Sequence, residues 1–153
     1  MLIGAFSWRH CGMAAFALAL GWTSVSQAEP VSWKVPLSGA EEMPPVQTAG
    51  SGVAAFDYDP ASRMIKWVVT YSGLSGPATM SHLHGPAQQG QKAPVVMWLS
   101  KQRSPADSPL TGQATLTPEQ AEQLAAGRWY VNIHTQTNPG GEVRGQVVLP
   151  GGG

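Results

Sequence analysis

Apolar and polar residues alternate one by one over much of this chain, a period of two that predicts strands rather than helices. The first such run is Val31-Ser-Trp-Lys-Val-Pro-Leu37, where Pro36 points to a sheet edge because it has no amide to donate. Ala49–Tyr58 and Met64–Tyr71 meet around the turn Asp57-Tyr-Asp-Pro-Ala-Ser62, so 49–71 reads as a β-hairpin. A fourth strand starts near Ala78 and ends at the Gly85-Pro86 turn. Pro94-Val-Val-Met-Trp-Leu99 is apolar throughout, which suits a strand buried on both faces. Leu110–Leu116, Arg128–Thr135 and Glu142–Leu149 bring the strands to about eight. Between the first two, Ser38–Val46 carries Pro44 and Pro45 and is expected to be an extended surface loop. Thr117-Pro-Glu-Gln120 opens the single helix, about 118–126, with an N-cap threonine and a proline at the first helical position; Gly127 ends it. Short strands with turns every 8–12 residues or so predict an all-β chain, an antiparallel Greek-key β-sandwich or barrel. Trp33, Trp67, Trp98 and Trp129 all fall in predicted strands and are assigned to core packing ahead of ligand stacking.

The N-terminus breaks this pattern. Arg9 and His10 precede an apolar run from Met13 to Trp22, and Ser26-Gln27-Ala28 is a small-x-small signal, so 1–28 reads as a secretory signal peptide cut after Ala28. The run is shorter than the ~20 residues a membrane-spanning helix needs. That leaves one domain over 29–149 and a disordered glycine tail at 150–153, placed in the periplasm or outside the cell, with no membrane insertion after cleavage. The only cysteine, Cys11, lies in the leader and lacks the small residues that precede a lipoprotein site. The exported domain therefore has no disulfide, no thiolate ligand and no thiol nucleophile. Without Arg9 it carries eight Lys/Arg against nine Asp/Glu, which gives no basic field and disfavours nucleic acid as a partner.

The chemistry concentrates in Met80-Ser-His-Leu-His-Gly-Pro86. In a strand His82 and His84 leave on one face, with Met80 beside them. The exported domain has one further histidine, His134, in the strand Trp129–Thr135. If the two strands are neighbours, three imidazoles converge on a three-nitrogen metal site with one position open. Copper ranks first for such ligands and zinc second; Met80 could add a thioether suited to Cu(I), or serve as core filler. Glu42, Asn132, Glu142 and Arg144 could support the ligands through hydrogen bonds or charge. The competing reading is a metal-free polar network, with His82 or His84 bonded to Glu42 or Glu142 and Arg144 bridging a carboxylate. No catalytic residue is assigned. There is no Gly-x-Ser-x-Gly elbow, Glu41 and Glu42 would point apart in an extended loop, and no glycine-rich phosphate loop opens a helix.

Four segments occur together in order: Leu37-Ser-Gly-Ala-Glu-Glu-Met-Pro-Pro-Val46, His82-Leu-His-Gly-Pro-Ala87, Gly127-Arg-Trp-Tyr-Val-Asn-Ile-His134 and Asn138-Pro-Gly-Gly-Glu-Val-Arg-Gly-Gln146. Together they resemble the CHRD domain, a repeat in chordin that is also common as a single secreted domain in bacteria, over about 35–148. Met43 departs from the aliphatic residue more usual in that family. The resemblance implies no defined activity, since CHRD domains are mostly assigned without one; in chordin the setting is growth-factor binding. The His-x-His strand and the later strand histidine also resemble the copper side of copper–zinc superoxide dismutase. His82, His84 and His134 match three of its copper ligands, whereas the bridging and zinc-loop histidines have no counterpart. Three functions follow as alternatives: copper binding, dismutase-type redox chemistry, or a metal-free protein-interaction module whose partner is unknown.

Overall fold

In a computed structural model of the chain, residues 29–101 and 105–151 are described; the segment 1–28, expected to be a signal peptide, and the final two glycines lie outside them. The period-two pattern becomes eight strands: β1 Val31–Ser38, β2 Ser51–Asp59, β3 Met64–Ser72, β4 Ala78–His84, β5 Val95–Trp98, β6 Leu110–Thr115, β7 Trp129–Thr135 and β8 Val143–Val147. One helix, α1 (Pro118–Ala125), precedes β7. Each strand turns alternate residues to a single core. Trp33, Val35 and Leu37 of β1 meet Phe56, Ile65, Trp67 and Val69 from the hairpin, and Val131, Ile133, Val143 and Val147 from β7 and β8.

The strands form one antiparallel sheet in the order β5-β4-β7-β8-β1-β2-β3-β6, curled into a half-barrel. After the β1–β3 meander the chain crosses to lay down β4 and β5, returns with β6 beside β3, and then inserts β7 and β8 between β4 and β1. Curling brings the far ends together across the core. Trp67 Nε1 donates to Leu99 O at 3.2 Å, Ala106 N to Ala78 O at 3.1 Å, and the Tyr71 hydroxyl to Ala106 O. This topology makes β4 and β7 neighbours although about 50 residues separate them, the arrangement that convergence of the histidines requires.

Some local expectations change. β1 lies inside the sheet, between β2 and β8; Pro36 is accommodated because the β1–β8 ladder is reduced to Ser38↔Arg144. β5 is an edge strand and Val95 is 43% exposed, so its apolar run is not buried on both faces. The Pro-rich loop opens with one 3-10 turn, Gly39–Glu41, and folds inward so that Glu42 is buried. Trp98, unlike the other strand tryptophans, stands on the outer face against His82.

The helix start is built as the sequence predicts. Gln120 N donates to Thr117 Oγ1 at 3.2 Å, Thr117 N donates to Gln120 Oε1 at 2.9 Å, and Gly127 takes φ +65° at the C-terminal end. Thr117→Ala is expected to lower stability by about 1 kcal/mol, read as a shift of the urea midpoint at unchanged slope.

Candidate metal centre

Alternation dictates which side chains can meet. In the β4–β7 register Met80 faces His134, His82 faces Asn132 and His84 faces Tyr130, so all six side chains lie on the outer face of the sheet. β8 continues that face with Arg144 opposite Asn132 and Gln146 opposite Tyr130. Outer faces of antiparallel sheets are usually wet. This one is covered by loops, and His82, His84, His134, Asn132 and Arg144 are all buried.

The three imidazoles form one cluster, in which one ring nitrogen from each lies within 4.8 Å of the others. Nitrogens bound to one tetrahedral ion at 2.0–2.1 Å lie about 3.4 Å apart, so small ring rotations close the site. Backbone carbonyls fix two of the rings. His84 Nδ1 donates to Ala93 O at 2.9 Å and His134 Nδ1 to Pro139 O at 3.0 Å, so that each ring carries its lone pair on Nε2. His82 Nδ1 then donates to His134 Nε2 at 3.2 Å. Burial lowers the pKa of all three rings; for His82, where His134 and His84 add to it, the value falls to about 4. The cluster is therefore neutral at physiological pH, the form in which imidazole binds metal.

Aromatic walls hold the ligands. Trp98 meets His82 edge-on at 4.2 Å, and Tyr130 stacks parallel on His84 at 4.8 Å. The Arg144 guanidinium lies 3.5 Å from the Tyr130 ring centroid and donates to Gln91 O at 2.8 Å. Tyr130 was detectable in the sequence, since it alternates with Asn132 and His134. The Ala93 and Pro139 carbonyls left no sequence signal, because any residue type supplies one.

The other expected residues separate into two groups. Asn132 and Arg144 join the histidine face, and Met80, half-buried, pairs with His134. Glu42 comes to the same place from the Pro-rich loop. A Cβ on Gly141, which has φ +127°, would collide with Glu42 Oε1 and lie 2.8 Å from Asn132 Nδ2. Burial raises the Glu42 pKa to about 7 against the lowering charges of Arg144 and Lys92. Glu142 does something else. Its carboxylate accepts from Thr48 Oγ1 (2.6 Å), Ser75 N (2.7 Å), Ser75 Oγ (2.6 Å) and Thr135 Oγ1 (2.7 Å), tying the Pro-rich loop and the β3–β4 connection to β7. Burial pushes its pKa up, but these bonds prevail and hold it at about 2. Gly141→Ala should displace Glu42 and Asn132 and also strain the backbone, costing upwards of about 2 kcal/mol in chemical denaturation.

Buried polar atoms normally find partners. Among the described residues those without one include His82 Nε2, His84 Nε2, Asn132 Oδ1 and Glu42 Oε1, all in this one cluster. A curled antiparallel sheet with a loop-covered group of three neutral imidazoles on its outer face defines a class of β protein with a potential metal centre. The chain belongs to the CHRD domain family, whose profile matches residues 33–147. Chordin from Danio rerio is 30% identical over 128 residues, which cover 76% of this chain and 13% of chordin; the chain thus spans a small part of that relative. None of the solved structures matches it. No helix among the described residues is long and apolar enough to cross a membrane.

Proposed function

We propose that this CHRD domain is exported through the leader at 1–28 and binds one metal ion through His82, His84 and His134, copper ahead of zinc. The observation that carries this reading is the pair of buried Nε2 atoms on His82 and His84 without partners, beside a third imidazole whose tautomer is set by a carbonyl. A purely structural histidine network would satisfy those atoms. Three neutral nitrogens suit copper or zinc, and export removes competition from cytosolic thiols. Met80, the register partner of His134, would add a thioether for Cu(I). The role is storage or delivery of the ion in the periplasm or outside the cell. Dismutase-type turnover is the second reading, disfavoured because His10 in the leader is the only other histidine to bridge a second metal.

The test is calorimetric titration of the exported chain with Cu(II), Cu(I) and Zn(II), beside the double variant His82→Ala/His134→Ala. Stoichiometric binding that falls by about a hundredfold or more in the variant supports the site. Weak binding shared by both proteins would leave the histidines as structural groups and the domain as a metal-free interaction module.

A further inference from the structure

The three ligands on this face are neutral, and so are the groups that hold them. His84 Nδ1 donates to Ala93 O and His134 Nδ1 to Pro139 O, both backbone carbonyls, while His82 Nδ1 bonds to His134 Nε2. Among the described residues no carboxylate is hydrogen-bonded to any of the rings. The charged side chain that acts on them is Arg144. Its cation disfavours positive charge on His84, and its guanidinium lies 3.5 Å from the centre of the Tyr130 ring that stacks on that imidazole. Burial meanwhile draws the Glu42 carboxyl toward its neutral form. An ion bound here therefore brings its whole charge into a buried place walled by Trp98 and Tyr130, near a fixed cation. In a continuum the cost of burying a charge grows with its square, so a dication costs about four times as much as a monocation. Repulsion by Arg144 adds in proportion to the charge. Coordination works in the same direction. Cu(II) seeks four nitrogen or oxygen ligands in a tetragonal plane, whereas this face offers three nitrogens and, from Met80, a soft thioether.

We infer that the three-histidine centre selects the monovalent ion, so that its cargo is Cu(I), with Cu(II) and Zn(II) held more weakly. This rests on the metal reading above and adds the oxidation state, which is decided by charge as well as by ligand type. Arg144 contributes through its cation and its place against Tyr130, not as a ligand. Two of its hydrogen-bonding and stacking partners, Gln91 O and Tyr130, are uncharged, so neither offsets that cation.

The experiment titrates residues 29–153 with Cu(I) under anaerobic conditions, with Cu(II) and with Zn(II), each against a chelator of known affinity. Cu(I) should be held about a thousandfold tighter than Cu(II), which sets the potential of the bound copper about 180 mV above that of the free aquo couple. In Arg144→Gln the repulsion removed scales with ionic charge. Cu(II) and Zn(II) affinities should each rise about tenfold and Cu(I) affinity about threefold, lowering the potential by about 30 mV. A merely structural arginine would move all three ions alike, and that result would overturn the part assigned to Arg144. Cu(II) held by wild type as tightly as Cu(I), or more tightly, would overturn the inference and leave metal binding standing; this comparison needs no variant. Failure of wild type to take up any of the three ions would remove the metal reading itself, and this inference with it.

Discussion

Adding Cu(II) or Zn(II) to residues 29–153 should raise the unfolding temperature by upwards of about 10 °C. An ion that binds only the folded state stabilises it by RT ln(1 + [L]/Kd), about 4 kcal/mol at a thousandfold excess over Kd. For a domain of this size that converts to a shift of this order. His82→Leu should abolish the shift while leaving metal-free stability within about 1 kcal/mol of wild type. The variant loses the bond from Nδ1 to His134 Nε2, but it also removes the buried Nε2 that has no partner. Leucine then fills the same space against Trp98 with no polar atom to satisfy. Function and stability separate at this residue, which a structural network would not allow. A metal-free loss of more than about 3 kcal/mol in His82→Leu would mark the histidines as stabilising groups and sink the metal reading.

The strands of the β1–β3 meander were legible because burial alternates along them. Trp33/Val35/Leu37 and Ile65/Trp67/Val69 show period two in the letters and again in the core. The same rule put His82 and His84 on one face and Asn132 with His134, and it could have added Tyr130 to them. Alternation alone does not make β4 and β7 neighbours; the crossing connections that place β7 and β8 between β4 and β1 do. Edge status was misjudged for β1 and β5 because a proline or an apolar run reports local preference, whereas position in a sheet is set by the long-range order of strands. Glu142 shows the other limit. Its charge and proximity to Arg144 pointed to the histidines, yet three hydroxyls and one amide from distant segments capture its carboxylate. Nothing in the spacing of Thr48, Ser75 and Thr135 announces that they share an acceptor.

That capture carries the second large effect. Glu142→Gln keeps the shape but sets an NH₂ group among four donors, and should cost about 2–4 kcal/mol in urea unfolding at neutral pH. The pH dependence identifies the cause. Folding lowers this carboxyl from its ordinary 4.5 to about 2, so its contribution is complete above 4.5 and drains away as pH falls toward 2. The span integrates to about 3 kcal/mol, and wild type and Glu142→Gln should converge at the acid end. Glu42 acts in the opposite sense: folding raises its pKa to about 7, so its contribution is complete below 4.5 and declines as pH rises to that value. Below 4.5 Glu142 shares the acid limb with Asp59, whose carboxyl is also lowered by bonds from Ser62 and Ala61, and with the tail of His82, lowered to about 4, so the limb should be clearly shallower in the variant. A limb of unchanged slope in Glu142→Gln would refute that assignment. Because Glu142 anchors the Pro-rich loop through Thr48 and β7 through Thr135, next to His134, the loss should also loosen the loop that carries Glu42 over the histidines. Metal affinity should then fall with acidification in wild type by more than imidazole protonation alone predicts, and the excess should be missing from the variant.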